Sequence, residues 1–322
     1  MRTEIARACV RYDLQLETIY CGGGTPSLLA PDLFTEMIRD LAPSSQVEFT
    51  LEANPATVTE AKAAAWRAAG VNRISLGAQS FDADYLKLLG RQHQPGDIPE
   101  TMSLLRRLGF NNVNIDLMFA LPAQPDKIWT DTLDAALDCR PDHISAYALT
   151  YEEDTPFFRE KLAGNFTIDE PREIRMFETT VDRLTAAGLP PYEISNFAKA
   201  GFESTHNRAY WRGADYLGVG PSAVTTVGSE RWKNIPDTKA YVERIEHNGD
   251  LRTELEIMTS ALRLKEQIMF GLRTREGVPV HQLAPGQGER LVEEGLAFAT
   301  DNRLRLTPRG RLVADGVAEF LA

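Results

Sequence analysis

The sequence predicts an α/β protein built on parallel strands, either a doubly wound sheet or a (β/α) barrel of the TIM type, whole or partial. Three observations carry this expectation. Short β-rich runs alternate with helical patterns through the first two thirds of the 322 residues. Most of those runs read as apolar on both faces, as strands covered on both sides do. Polar or glycine-rich residues recur just past the strand ends, which share the ligand-binding face in parallel α/β architectures.

The candidate strands are Thr18 to Cys21, Val47 to Glu52, Arg73 to Leu76, Val113 to Leu117, His143 to Leu149 and Tyr192 to Ser195. The helices between them have recognisable ends. Pro31 suits a first helical position, and Leu33, Phe34, Met37, Ile38 and Leu41 form one stripe; Thr59 caps a helix that Gly70 closes, and Gly109 and Gly188 close two more. The repeated β-then-α order implies right-handed crossovers between parallel strands. Beyond about residue 250 the pattern changes. "TELEIMTSALRLKEQIMFGLRT" reads as one long amphipathic helix, Gly288 to Glu294 as a second, "LAFATDNRLRLT" as a hairpin around Asp301 and Asn302, and "PRGRLVADGVAEFLA" as a closing helix. The expected domains are therefore 1–248, carrying the strands, and 249–322, a small winged-helix-like α+β appendage with a packing or lid role.

A formal net charge of -11 argues against nucleic acid as the main partner, because a phosphate backbone is held chiefly by Lys and Arg. No stretch approaches the roughly 18 uninterrupted apolar residues of a membrane span, and "MRTEIARACV" lacks the apolar run of a secretory signal, so the expected location is cytoplasmic. Cys9, Cys21 and Cys139 are odd in number and far apart, which indicates neither a disulfide framework nor a paired metal motif.

The strand ends carry the candidate chemistry. Gly22, Gly23 and Gly24 let backbone amides approach a ligand and Thr25 adds a hydroxyl; a sharp strand-to-helix turn without a ligand explains the triplet equally well. Glu52 can accept from a ribose diol or an ammonium group, or form a salt bridge. Gln79 offers a donor and an acceptor to a ligand, or equally to the fold itself. Asp116 is bracketed by apolar residues in "NIDLMFALP", so its burial requires a partner. In "STHNRAYWRGADYLGVGPSA", His206, Asn207, Tyr210 and Trp211 set an imidazole beside two aromatic rings, a combination able to contact a flat ligand and to give iron an axial nitrogen, although a lone histidine near a tryptophan is more often a hydrogen-bonded structural residue.

Taken together, "CGGGTPSLL", "LEANPATV", "GVNRISLGAQSF", "LGRQH", "NNVNIDLMFALPAQ", "PPYEISNFAKAG" and "HNRAYWRGADYLGVGP" resemble, in order and spacing, the HemW subgroup of radical S-adenosylmethionine (SAM) proteins, which contains heme chaperones and is related to oxygen-independent coproporphyrinogen III oxidase. The resemblance runs from about residue 10 to the end. It implies a partial (β/α) barrel of the radical SAM type that lacks its first strand and binds S-adenosylmethionine at its strand ends. Gly23, Gly24 and Thr25 would meet the methionyl part, Glu52, Gln79 and Arg91 would hold the nucleoside side, and Asp116 would line the same pocket. The "HNxxYW" motif of the heme chaperones falls on His206, Asn207, Tyr210 and Trp211, with His206 the candidate ligand of heme iron.

The sequence also departs from the family. The superfamily's CxxxCxxC loop, whose thiolates hold a [4Fe-4S] cluster, is missing, and the chain is expected to start inside the helix after that loop, through a misplaced start codon or a real deletion. Ala120 stands where relatives commonly have glycine. Val224 stands where they often have histidine, which speaks against bis-histidine ligation there. The resemblance implies a heme chaperone that delivers heme to a recipient protein, with any membrane association transient and through that recipient. The alternatives are a radical enzyme like coproporphyrinogen III oxidase and an inactive fragment; "HNRAYW" favours the chaperone, and the missing cysteines oppose the enzyme.

Overall fold

The computed structural model describes residues 1–322 except 42, 152, 154, 165, 167, 168 and 322. Its contacts divide the chain into two units. One comprises Thr18–Pro31 and Glu48–Glu203; the other gathers Met1–Glu17, Asp32–Val47 and Ser204–Ala322. The expected boundary after residue 248 falls inside the latter.

The first unit is a six-stranded sheet of β1 (Thr18–Cys21), β2 (Glu48–Ala53), β3 (Arg73–Gln79), β4 (Val113–Phe119), β5 (His143–Ala148) and β6 (Asn196–Ala198). The strands lie side by side in sequence order, β1 to β5 parallel and β6 antiparallel to β5. A doubly wound sheet would reverse its strand order at a switch point, so the unbroken order is that of a barrel arc. Among the described residues only β2 pairs with β1, which forms one edge.

Five of the six expected strands are present within two or three residues. The sixth is displaced: Tyr192 to Ser195 is not a parallel strand, because the Glu193 carboxylate accepts the Ser195 N–H at 2.8 Å in a local turn and the registered, antiparallel pairs with β5 run over Asn196–Ala198. The helix ends follow the capping signals. Thr59 accepts from the Lys62 N–H at 3.3 Å, and Gly70, Gly109 and Gly188 take left-handed φ values of 97°, 84° and 82°.

The expectation that these strands are apolar on both faces is overturned. Register places Tyr20 beside Thr50 and Arg73; Glu52 beside Ser75, Asn114 and His143; and Gly77 beside Asp116, Ser145 and Asn196. Alternate residues of a strand face opposite sides. One face is therefore polar on every strand, while the other carries Phe49, Leu51, Ile74, Leu76, Val113, Ile115, Leu117 and Ile144, all fully buried. The apolar face joins a core containing Trp66, Trp129, Phe110 and Phe197. Trp129 also ties its helix, Asp126–Asp138, to Glu170–Ala186 by donating to Thr180 Oγ1 at 2.9 Å.

The second unit has two small antiparallel sheets. The first joins β7 (Val224–Val227), β8 (Glu230–Asn234) and β9 (Arg252–Ile257). β9 corrects the long-helix expectation: residues 252–257 pair with β8, and the helix starts only at Ser260, where the Thr259 hydroxyl caps it by accepting from the Leu262 N–H. The second sheet has the order β10 (Val278–Pro279), β12 (Arg303–Leu306), β11 (Ala297–Thr300). Its hairpin turns on Asp301 and Asn302, both left-handed at φ 53° and 57°, the geometry of a two-residue turn matched to strand twist. The Arg2–Arg11 helix is fixed within this unit by Glu4, whose carboxylate accepts from the Gly220 N–H, the Asn234 amide and the Tyr241 hydroxyl. No described helix is long and apolar enough to cross a membrane.

Candidate functional site

The polar face of the six-stranded sheet leads to the C-terminal strand ends, where the glycine triplet follows β1. The three glycines meet different needs. A Cβ on Gly22 would lie 2.5 Å from Tyr20 Cε1 and 2.8 Å from Glu52 Oε1, so this position requires space. Gly23 and Gly24 have nothing within 4 Å of an added Cβ but sit at φ 75° and 88°, so these two require the left-handed backbone. Glu52 anchors the loop: Oε1 accepts the Tyr20 hydroxyl at 2.6 Å and Oε2 accepts the Gly23 N–H at 3.2 Å. Gly24 and Thr25 continue the loop at the surface, and Thr25 makes no side-chain cap to the helical turn Pro26–Leu28.

Gln79 ends β3 at φ 69°, just past a register shift against β4 that re-aims its side chain. The Tyr147 hydroxyl of β5 donates to Gln79 Oε1 at 3.0 Å, which orients the amide. Burial pushes the Tyr147 phenol well up, Asp116 and Glu52 push it further, and the bond to Gln79 and then Arg91 oppose them. Tyr147 thus senses Glu52, Gln79, Arg91 and Asp116, residues spread over 65 positions of chain, at one place. Arg91 is half-buried, and its enclosed Nε has no hydrogen-bond partner among the described residues.

Asp116 occupies the middle of this face. Burial raises its carboxyl above the usual range; hydrogen bonds from Ser145, Asn114 and Ser75 oppose that, and Glu52 adds to it. Ser75 Oγ donates to Oδ2 at 3.0 Å, and Asn114 Nδ2 donates to Oδ1 at 2.7 Å. The Asn114 oxygen accepts from His143 Nδ1 at 2.7 Å, which leaves His143 Nε2 to accept the Tyr192 hydroxyl at 2.8 Å. Burial, and then the Arg73 charge, hold that imidazole well below its ordinary range and therefore neutral. Sequence reasoning missed Tyr20, Ser75, Asn114, His143, Ser145 and Tyr147. Their signal was present, as the period-two recurrence of polar residues in "RISLGAQ", "VNID" and "HISAY".

The second candidate group lies in the other unit, on the Thr205–Trp211 helix, which Ser204 caps by accepting from the Asn207 N–H at 3.2 Å. His206 and Tyr210 are four residues apart, as are Asn207 and Trp211, so each pair shares a helix face. Tyr210 is 43% exposed and packs near Trp211, Tyr216 and Phe270, with ring centroids 5.5, 5.6 and 5.6 Å away. The Arg273 guanidinium stands over the Trp211 ring at 5.5 Å. Tyr216, from the same stretch, and Phe270 and Arg273, from a segment that sequence reasoning did not connect to it, complete this cluster.

The cysteines do not fit an iron–sulfur cluster. Cys21 ends β1, where burial and then Glu52 push its thiol up to about 12, and Cys139 follows the Asp126–Asp138 helix, where burial and Asp138 push its thiol up to about 11. Cys9 lies exposed in the Arg2–Arg11 helix, and among the described residues no three His, Cys, Asp or Glu side chains are grouped to hold a metal ion.

Comparison with known proteins gives one consistent result. The Radical SAM superfamily model matches residues 3–136. The chain is 34% identical over 319 residues to the heme chaperone HemW of Bacillus subtilis (strain 168), spanning 94% of this chain and 84% of that relative. It is 35% identical over 332 residues to the heme chaperone HemW of Mycobacterium tuberculosis (strain CDC 1551 / Oshkosh), spanning 100% and 85%. Among solved structures, coproporphyrinogen III oxidase (HemN) from Escherichia coli superposes with a TM-score of 0.84 at 19% identity, covering 99% of this chain and 80% of that one; at that identity the likeness is one of fold.

Proposed function

This chain belongs to the HemW family of radical SAM proteins, and on that premise we propose that it is a heme chaperone: it takes up heme at the Thr205–Trp211 helix, passes it to a recipient protein, and binds S-adenosylmethionine at the strand ends of the six-stranded sheet. The observation that carries the reading is the helix itself. It sets His206 one turn from an exposed tyrosine within a cluster of four aromatic rings. A neutral imidazole supplies an axial nitrogen to heme iron, and Tyr210, Trp211 and Phe270 supply the apolar, flat-faced packing that a porphyrin ring needs. Asn207 lies on the Trp211 side of the helix and offers an amide beside it.

At the strand ends, Gly23, Gly24 and Thr25 would meet the methionyl part of S-adenosylmethionine, Glu52, Gln79 and Arg91 its nucleoside side, and Asp116 would line the pocket. The donor set fits this ligand. S-adenosylmethionine is cationic at its sulfonium and ammonium groups, and neither Glu52 nor Asp116 forms an ion pair among the described residues. The enclosed Arg91 Nε is a donor still to be used. In radical SAM families, S-adenosylmethionine bound to a [4Fe-4S] cluster supplies radical chemistry; here the residues described bind, orient and neutralise the ligand.

Hemin titration of the purified protein tests the heme role. The wild type is expected to give a saturable Soret band, and His206→Ala a shifted band with affinity lower by about tenfold or more, about 1.4 kcal/mol. The same band and affinity in both proteins would remove His206 from the reading.

A further inference from the structure

The polar face of the six-stranded sheet holds a cation that nothing above uses. Arg73, the first residue of β3, is 2% exposed, and its enclosed Nε has no hydrogen-bond partner among the described residues. Thr50, its registered neighbour on β2, is fully buried, and its hydroxyl is likewise without a partner there. The carboxylates on this face are engaged elsewhere. Glu52 holds Tyr20 and the Gly23 amide, and Asp116 is held by Ser75 and Asn114. Arg73 does not bond to either. His143, which senses the Arg73 charge, has both ring nitrogens committed to Asn114 and Tyr192.

A buried acid or histidine escapes its desolvation cost by changing protonation, but a guanidinium cannot. An unpaired buried charge is strongly destabilising, so an enclosed arginine calls for an anion. The guanidinium fork matches a carboxylate in a bidentate arrangement. Glu52 and Asp116 already place two acidic side chains on this face, which favours a singly charged anion over a phosphate dianion.

We propose that the base of the polar face is an anion subsite in which Arg73, assisted by the Thr50 hydroxyl, takes the carboxylate of a small-molecule ligand. The subsite is independent of the heme and S-adenosylmethionine assignments. The test is a titration of the full chain, with 15N-labelled arginine, by sodium propionate at constant ionic strength. The Arg73 Nε–Hε resonance, assigned through Arg73→Gln, is followed by NMR. The expected result is a saturable shift with propionate, little response to the neutral isostere propionamide, and several-fold weaker binding in Thr50→Val. No shift with propionate overturns the proposal, as does an equal response to propionamide. A stronger response to inorganic phosphate overturns the carboxylate assignment. If Arg73→Gln does not fold, the wild type with the two isosteres and the Thr50→Val variant still decide the matter.

Discussion

Gly22→Ala isolates the one glycine of the triplet that is needed for space. Its Cβ would stand 2.5 Å from Tyr20 Cε1, 2.8 Å from Glu52 Oε1 and 2.9 Å from Glu52 Cδ. Carbon atoms pack comfortably at about 3.5–4.0 Å, so the ring and the carboxylate must retreat by about 1 Å. They cannot retreat separately, because the Tyr20 hydroxyl is bonded to Glu52 Oε1 at 2.6 Å. Moving the carboxylate also strains its bond from the Gly23 N–H at 3.2 Å. Overpacking of this kind costs about 1–3 kcal/mol, and a hydrogen bond to a charged group is worth about 1.5–3 kcal/mol. A binding loss of about 1.4–2.8 kcal/mol is therefore expected, a ten- to hundredfold weakening for S-adenosylmethionine. Isothermal calorimetry measures it, with chemical denaturation as the companion. Gly23→Ala is the control: its Cβ meets nothing, so its cost is the left-handed backbone alone, about 1–2 kcal/mol of stability, with Glu52 undisturbed. If Gly22→Ala binds and unfolds like the wild type, then Tyr20 and Glu52 yield freely and the steric reasoning is wrong.

Three further outcomes are expected. Glu52→Ala should weaken S-adenosylmethionine by about 1–3 kcal/mol through the stranded polar partner, and equal affinity by calorimetry would refute its placement in the site. Ala120 sits at φ 55°, a conformation natural for glycine, so Ala120→Gly should stabilise the protein by about 0.5–1 kcal/mol once the flexibility gained by the unfolded chain is subtracted; an unchanged or lower denaturant midpoint would contradict this. His143 is buried neutral, with its folded pKa depressed. As pH falls through about 6.5 the unfolded chain gains a proton that the folded chain refuses, so stability drops by up to about 1.4 kcal/mol per pH unit until the folded pKa is reached. Denaturation between pH 7.5 and 5 should show this slope in the wild type and a flatter one in His143→Gln, whose amide can keep both hydrogen bonds; parallel curves would show that His143 is not the group responsible.

Much of the scaffold was legible because its signals are local. Pro31, Thr59, Gly70 and Gly109 mark helix ends by their own backbone chemistry, and the β1–β5 runs stand out by composition. The errors occurred where a local pattern had two readings. "TELEIMT" extends a helical stripe on paper, yet residues 252–257 gain a pairing partner in β8, and Thr259 caps the helix after them. "YEIS" reads as a strand, yet the Glu193 side chain captures its backbone in a turn. The site was only half legible. Glu52, Gln79 and Asp116 stood out by position at strand ends, but the residues that hold them come from neighbouring strands and are named by register alone.

Hydrophobic period, capping residues and the order of motifs depend on neighbours in the chain, so the sequence by itself determined the α/β class, the strand-end clustering and the family. Which polar side chains meet across the sheet depends on the pairing of strands tens of residues apart. Only the tertiary structure could decide that the strands carry a continuous polar face, that Asp116 rests on Asn114 and Ser75, and that Arg73 lies enclosed on the same face with its Nε unpartnered among the described residues. Burial converts those meetings into energy, because a charge removed from water must find its compensation among the few groups that the fold places beside it.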